Sequence, residues 1–134
     1  VSKQSLGEKK TYSPLPDGSY TVNLNRVKGA SRTKKDNGTI VNVSYQVTDG
    51  EFKNRLIWDS FLISHDDSPR AAGIGLQNLD KMLKSIGVYG GFEAIGNDAS
   101  QLEQFIGKEF IVKVKTEENP GFDPRNKVTN YSRK

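Results

Sequence analysis

The 134-residue sequence contains no cysteine, which excludes disulfides and thiolate metal sites and fits a reducing compartment. Histidine occurs once, as His65, beside Asp66 and Asp67. Three neighbours in a turn-like stretch cannot converge on a metal or a reacting group without distant partners. There is no nucleophile motif, zinc spacing or P-loop, and Gly73-Ile74-Gly75 is too short to cradle a phosphate. Asp59, Asp66 and Asp123 are carboxylates that a nuclease could recruit, but they form no tight acidic cluster. The expectation is a protein that is not an enzyme and carries neither metal nor cofactor. No apolar run approaches the roughly 18 residues of a membrane helix, and the stretch from Val1 to Ser13 lacks the apolar segment of a signal peptide. A soluble intracellular protein without a membrane partner is expected, its Asn-x-Ser/Thr matches at Asn37, Asn42 and Asn130 being coincidental.

What the sequence does contain is unevenly placed positive charge. Lys and Arg outnumber Asp and Glu by 20 to 16, a net charge of +4. Arg26, Lys28, Arg32, Lys34 and Lys35 follow one another without an intervening acid, whereas Glu93, Asp98, Glu103 and Glu109 lie in a more acidic later segment. A basic run is ordinarily a solvated loop, so its meaning depends on what the fold sets beside it.

Alternation of apolar and polar residues marks five strands. Tyr20, Val22 and Leu24 define the first, and Val41, Val43, Tyr45 and Val47 the second, with Asn42, Ser44 and Gln46 on its opposite face. The third, from Arg55 to Ser64, is apolar on both faces: Ile57, Phe61 and Ile63 share one parity, Leu56, Trp58 and Leu62 the other. From Ser68 the period becomes helical, with Pro69 inside a Ser68 cap, apolar Ala72, Leu76, Leu79, Met82, Leu83 and Ile86, and Gly87 as a stop. A further helical turn falls at Ser100 to Gly107. The fourth strand turns Phe110, Val112 and Val114 inward, and the fifth runs from Asn126 to Ser132.

Three strands, a helix and two strands is the order of a five-stranded Greek-key barrel of the OB type, mainly β, with one α-helix between strands three and four. A two-layer sandwich with one helix uses the same alternation. Residues 1–14 read as a flexible N-terminal arm and 15–134 as a single domain. In the barrel, the loop after strand one and the Pro120-Gly121-Phe122-Asp123-Pro124 loop become opposite lips of a groove. The candidate nucleic-acid-binding residues are Arg26, Arg32, Lys34, Lys35 and Asn42, then Trp58 on the groove floor, then Phe122, Arg125, Lys127 and Tyr131. Cations that follow phosphates and rings on which bases stack are what single strands require. Parity turns Lys127 and Tyr131 outward, opposite to Val128, while Tyr20 and Tyr45 belong with the core. The alternative is an OB-type interaction module whose basic loop meets an acidic protein partner. Nothing in these residues separates DNA from RNA, and a homo-oligomer is compatible with them.

Leu15 to Val22, Asp49 to Ile63, the helix through Leu79 to Val88 and the terminal stretch from Asn119 to Tyr131 together resemble a phage family catalogued as a domain of unknown function. Its pattern runs Leu-Pro-x-Gly-x-Tyr, then Gly-x-Tyr/Phe-x-x-Arg, then Pro-Gly-Tyr/Phe-x-x-Arg-Asn-x-Val/Ile-x-x-Tyr/Phe. The terminal motif falls on Pro120, Gly121, Phe122, Arg125, Asn126, Val128 and Tyr131. The resemblance implies an OB fold and single-stranded DNA binding in phage replication or recombination. It also implies partners among the proteins of those processes and a place in the cytoplasm of an infected bacterium. Phage single-strand binders often carry an acidic C-terminal tail; this sequence ends in Asn-Tyr-Ser-Arg-Lys instead.

Overall fold

The structure, a computed structural model, describes residues 14–118, 120, 121 and 123–134. Five antiparallel strands form one sheet in the order β3-β2-β1-β4-β5. They are β1 (Gly18–Arg32), β2 (Gly38–Val47), β3 (Leu56–His65), β4 (Glu109–Glu117) and β5 (Arg125–Ser132). The helix α1 (Pro69–Ser85) and two short 3-10 segments (Gly91–Ile95 and Ala99–Phe105) lie between β3 and β4.

The sheet coils because β1 serves two partners. Gly18 to Asn23 pair with β4, whereas Val22 to Arg32 pair with β2. Two bulges, at Asn25 and Lys28, set an extra residue of β1 against β2, which bends the strand and increases its twist. Gly29 follows the second bulge at φ +87, a conformation that side chains resist. The residues from Gly29 to Arg32, expected as loop, are therefore strand, and the β1–β2 turn shrinks to residues 33–37.

The concave side collects the residues whose alternation marks the strands: Val22, Leu24, Val41, Tyr45, Phe61, Phe110, Val112 and Val114 are all buried. Tyr45 meets Phe110 edge to face, with ring centroids 5.2 Å apart. Ser68 caps α1 by accepting from the Ala71 amide at 3.3 Å, and Gly87, at φ +102, ends it. The helix buries Ala72, Leu79, Met82 and Leu83 and lies against both β3 and β5. It approaches β3 so closely that a Cβ on Gly75 would stand 1.9 Å from the Leu62 carbonyl oxygen. Ahead of β1, Leu15 is buried. Its amide donates to Asn126 Oδ1 at 2.8 Å, and its carbonyl accepts from Asn126 Nδ2 at 2.9 Å.

No strand ladder joins β3 to β5, the two ends of the sheet. They meet through side chains. Tyr131 of β5 donates to Asp59 Oδ2 of β3 at 2.5 Å, and its ring lies 6.2 Å from that of Phe61.

Candidate nucleic-acid interface

The register of β1, β2 and β3 aligns their outward residues in rows. Arg26 pairs with Ser44, and Ser44 with Trp58; in the next row Gly29 pairs with Asn42, and Asn42 with Ser60. Ser44 is buried and its Oγ accepts from Asn25 Nδ2 at 3.3 Å. Trp58, by contrast, is 66% exposed. An indole of that size left in water on a regular strand calls for an explanation, since aromatics of this kind usually find cover.

Two grooves meet at this ring, sharing Trp58 and Asn42. One, of about 510 Å³, is flanked by Arg26 and Lys28. The other, of about 550 Å³, occupies the seam between the unpaired edges of β3 and β5. Leu56, Trp58 and Ser60 form its β3 side, Arg125 and Lys127 its β5 side, and Asn78 reaches it from α1. Glu117 holds the two cations in position: Arg125 Nε donates to its Oε1 at 3.1 Å, and Lys127 Nζ lies 3.7 Å from its Oε2.

Asp59 lines the seam groove and stitches it. Its Oδ2 accepts from Tyr45 at 2.8 Å and from Tyr131, and its Oδ1 accepts from the Ser60 amide at 2.9 Å. Burial raises the carboxyl above its ordinary pKa, although both phenols, the Ser60 amide and nearby Lys127 favour the charged form. Burial, reinforced by the Asp59 charge, also pushes both phenols upward, so they remain donors. Among the described residues, no group of three histidine or carboxylate side chains is arranged to hold a metal ion.

The structure thus gathers Arg26, Asn42, Trp58, Arg125, Lys127 and Tyr131 on two adjoining grooves. Tyr131 differs from expectation. The ladder passes from Lys113↔Asn130 to Val114↔Val128, so Thr129 is an extra residue and the parity of β5 reverses there. Tyr131 consequently shares the inward side with Val128 and lines the inner wall instead of standing out as a stacking ring. Arg32, Lys34 and Lys35 do not line either groove. Arg32 ends β1 and is engaged by carboxylates: its Nε donates to Asp36 Oδ1 at 2.8 Å, and Asp66 lies 3.9 Å away. The hydrogen bond to Asp36 raises the guanidinium pKa further. Lys34 and Lys35 are exposed in the turn beyond. The first lip is therefore built by Arg26 and Lys28 on the strand, not by the loop. Phe122 lies outside the described residues.

Sequence comparison adds the relationship. The chain belongs to the DUF669 family. The match runs over residues 3–131, and the description of DUF669 is "protein of unknown function". No curated protein was found to match the chain.

Lys28, Ser60, Asn78 and Asp59 are groove residues of this DUF669 chain that were not among the candidate binding residues, although Lys28 belongs to the basic run and Asp59 to the scattered carboxylates. Asp59 carried a signal, for it has the parity of Ile57 and Phe61 and so had to point inward. Asn78 carried none, because only the packing of α1 on β3 and β5 delivers it.

Proposed function

We propose that this DUF669 protein binds single-stranded DNA without strong sequence preference, through phosphate contacts and base stacking and without chemistry of its own. One observation carries the reading: an exposed tryptophan stands between two pairs of cations, Arg26 and Lys28 on one side and Arg125 and Lys127 on the other. A single strand crossing the face would stack a base on Trp58 while its phosphates meet those cations. Half-buried groups already bonded within the protein, such as Asp59 and Asn126, would serve as scaffold.

The fold we propose is an OB-type barrel with a partly open seam. The strand order β3-β2-β1-β4-β5, with its ends held together by Tyr131 and Asp59, supports that reading, as does a helix packed across both ends. A role in phage replication or recombination, inside the infected bacterium and among its replication proteins, rests on the motif resemblance.

Salt dependence tests the proposal. Four groove cations neutralising about four phosphates give a slope of log affinity against log salt near about −3. Anisotropy titrations of labelled oligo(dT) across a salt series should return it. Replacing Arg26 and Lys28 with alanine should reduce the slope by about 1.4, whereas Arg32→Ala should leave it unchanged because Arg32 lines neither groove. A slope near zero would defeat the phosphate contacts.

A second reading is favoured by one observation. β3 and β5 present free edges beside exposed Leu56, a surface that an extended peptide of a partner protein can pair with. A peptide so bound would leave oligonucleotide binding absent.

A further inference from the structure

The seam groove holds more polar chemistry than phosphate binding needs. Asn42 from β2 and Asn78 from α1 are both half-buried and both line it, with the hydroxyl-bearing Ser60 directly across the ladder from Asn42. Among the described residues neither carboxamide has a hydrogen-bond partner within the protein. This contrasts with Asn126 in the same groove, whose amide is used on both sides by Leu15, and with Asp59, whose oxygens serve three donors. A half-buried carboxamide left unpaired forgoes hydrogen bonds that a ligand can supply. Charge does not account for the pair either, since an amide is a poor substitute for lysine beside a phosphate.

Resting on the reading above, we infer that the groove beside Trp58 is a nucleobase pocket, in which the indole takes the face of one base and Asn42, Asn78 and Ser60 take its edge. The chemistry of the edge readers fixes the specificity. A carboxamide carries a donor and an acceptor and reverses them by a half-turn; a hydroxyl does so by rotation. Each of the four bases presents donors and acceptors along its free edge, so these groups pair with any of them. The pocket distinguishes a base from no base, and an unpaired base from one whose edge is used in a duplex. It does not distinguish among bases. Sequence tolerance is then a property of reversible hydrogen bonds as well as of stacking.

The test separates edge from face. Short oligo(dT) is compared with the same strand in which thymine is replaced by difluorotoluene, a ring of the same shape that stacks but has almost no hydrogen-bonding edge. Both are titrated into the protein and into Asn42→Ala, Asn78→Ala and the double variant. Two lost edge bonds correspond to about tenfold weaker binding of the isostere by the unaltered protein. The double variant should bind oligo(dT) about tenfold more weakly and bind the isostere as the unaltered protein does. Oligo(dC) and oligo(dA) should bind within about fivefold of oligo(dT). Asn78 lies on the helix and Asn42 on the sheet, so a folding defect in one variant leaves the other to report.

Equal affinity for thymine and its isostere in the unaltered protein would overturn the pocket while leaving single-strand binding intact. So would an equal loss for both ligands in the double variant. A preference above about a hundredfold for one base would overturn its indifference to base identity. Failure of every oligonucleotide to bind at low salt would remove the functional reading, and the pocket with it.

Discussion

Asp59 is the residue on which the seam depends. It sits where two strand ends face each other without a ladder, and three donors from β2, β3 and β5 converge on its carboxylate. Its folded pKa is raised by burial, so the protonated form is favoured by folding. The associated stability is fully present below the ordinary value of 3.8 and is lost as pH rises through the raised folded value. Asp59→Asn cannot titrate. Urea unfolding across pH should therefore show the stability advantage of the unaltered protein over this variant shrinking as pH rises through that window, then levelling. The decline amounts to about 1.4 kcal/mol for each unit of upward shift. A difference independent of pH would mean that the carboxyl is not held as described.

At the scale of elements, α1 contains two glycines in opposite situations. A Cβ on Gly75 would meet the Leu62 backbone at 1.9 Å, whereas nothing stands within 4 Å of one on Gly73. Gly75→Ala should lower stability by about 3 kcal/mol, because a backbone carbonyl cannot move aside as a side chain would. Gly73→Ala should raise it by about 0.5 to 1 kcal/mol through helix propensity. Denaturant midpoints of the two variants check both signs. Of the two glycines in the Gly-Ile-Gly that fails as a phosphate loop, Gly75 is thus the close-packing one.

The same scale explains what the sequence revealed. Alternation exposed the cores of β2 and β4, and a cap, a stripe and a stop exposed α1. The distal half of β1 was hidden, because Gly29, Ala30, Ser31 and Arg32 carry no alternation and owe their strand geometry to pairing with β2. The bulge at Thr129 was hidden for a related reason. Parity counts residues, and an inserted residue reverses every side chain after it, which is how Tyr131 came to face inward. Of the candidate site, Trp58 and the β5 cations were legible from position alone. Which members of the basic run reach the groove was not, since that depends on where the coiled sheet carries Arg26 and Lys28 and on the carboxylates that claim Arg32.

For the whole molecule, the net charge of +4 matters less than its placement. The cations that flank Trp58 come from β1 and β5, far apart in sequence, and are brought to adjoining grooves by a sheet whose ends curl toward each other. The most direct test of single-strand binding uses the fact that Trp58 is the only tryptophan in the chain. Its fluorescence would be followed during titration with oligo(dT) at two salt concentrations, with duplex DNA as the control. The account predicts quenching by the single strand that weakens as salt rises, with little change on adding duplex. Unchanged fluorescence together with unchanged anisotropy of a labelled oligonucleotide at low salt would contradict it, and the face around Trp58 would then be a surface for a protein partner.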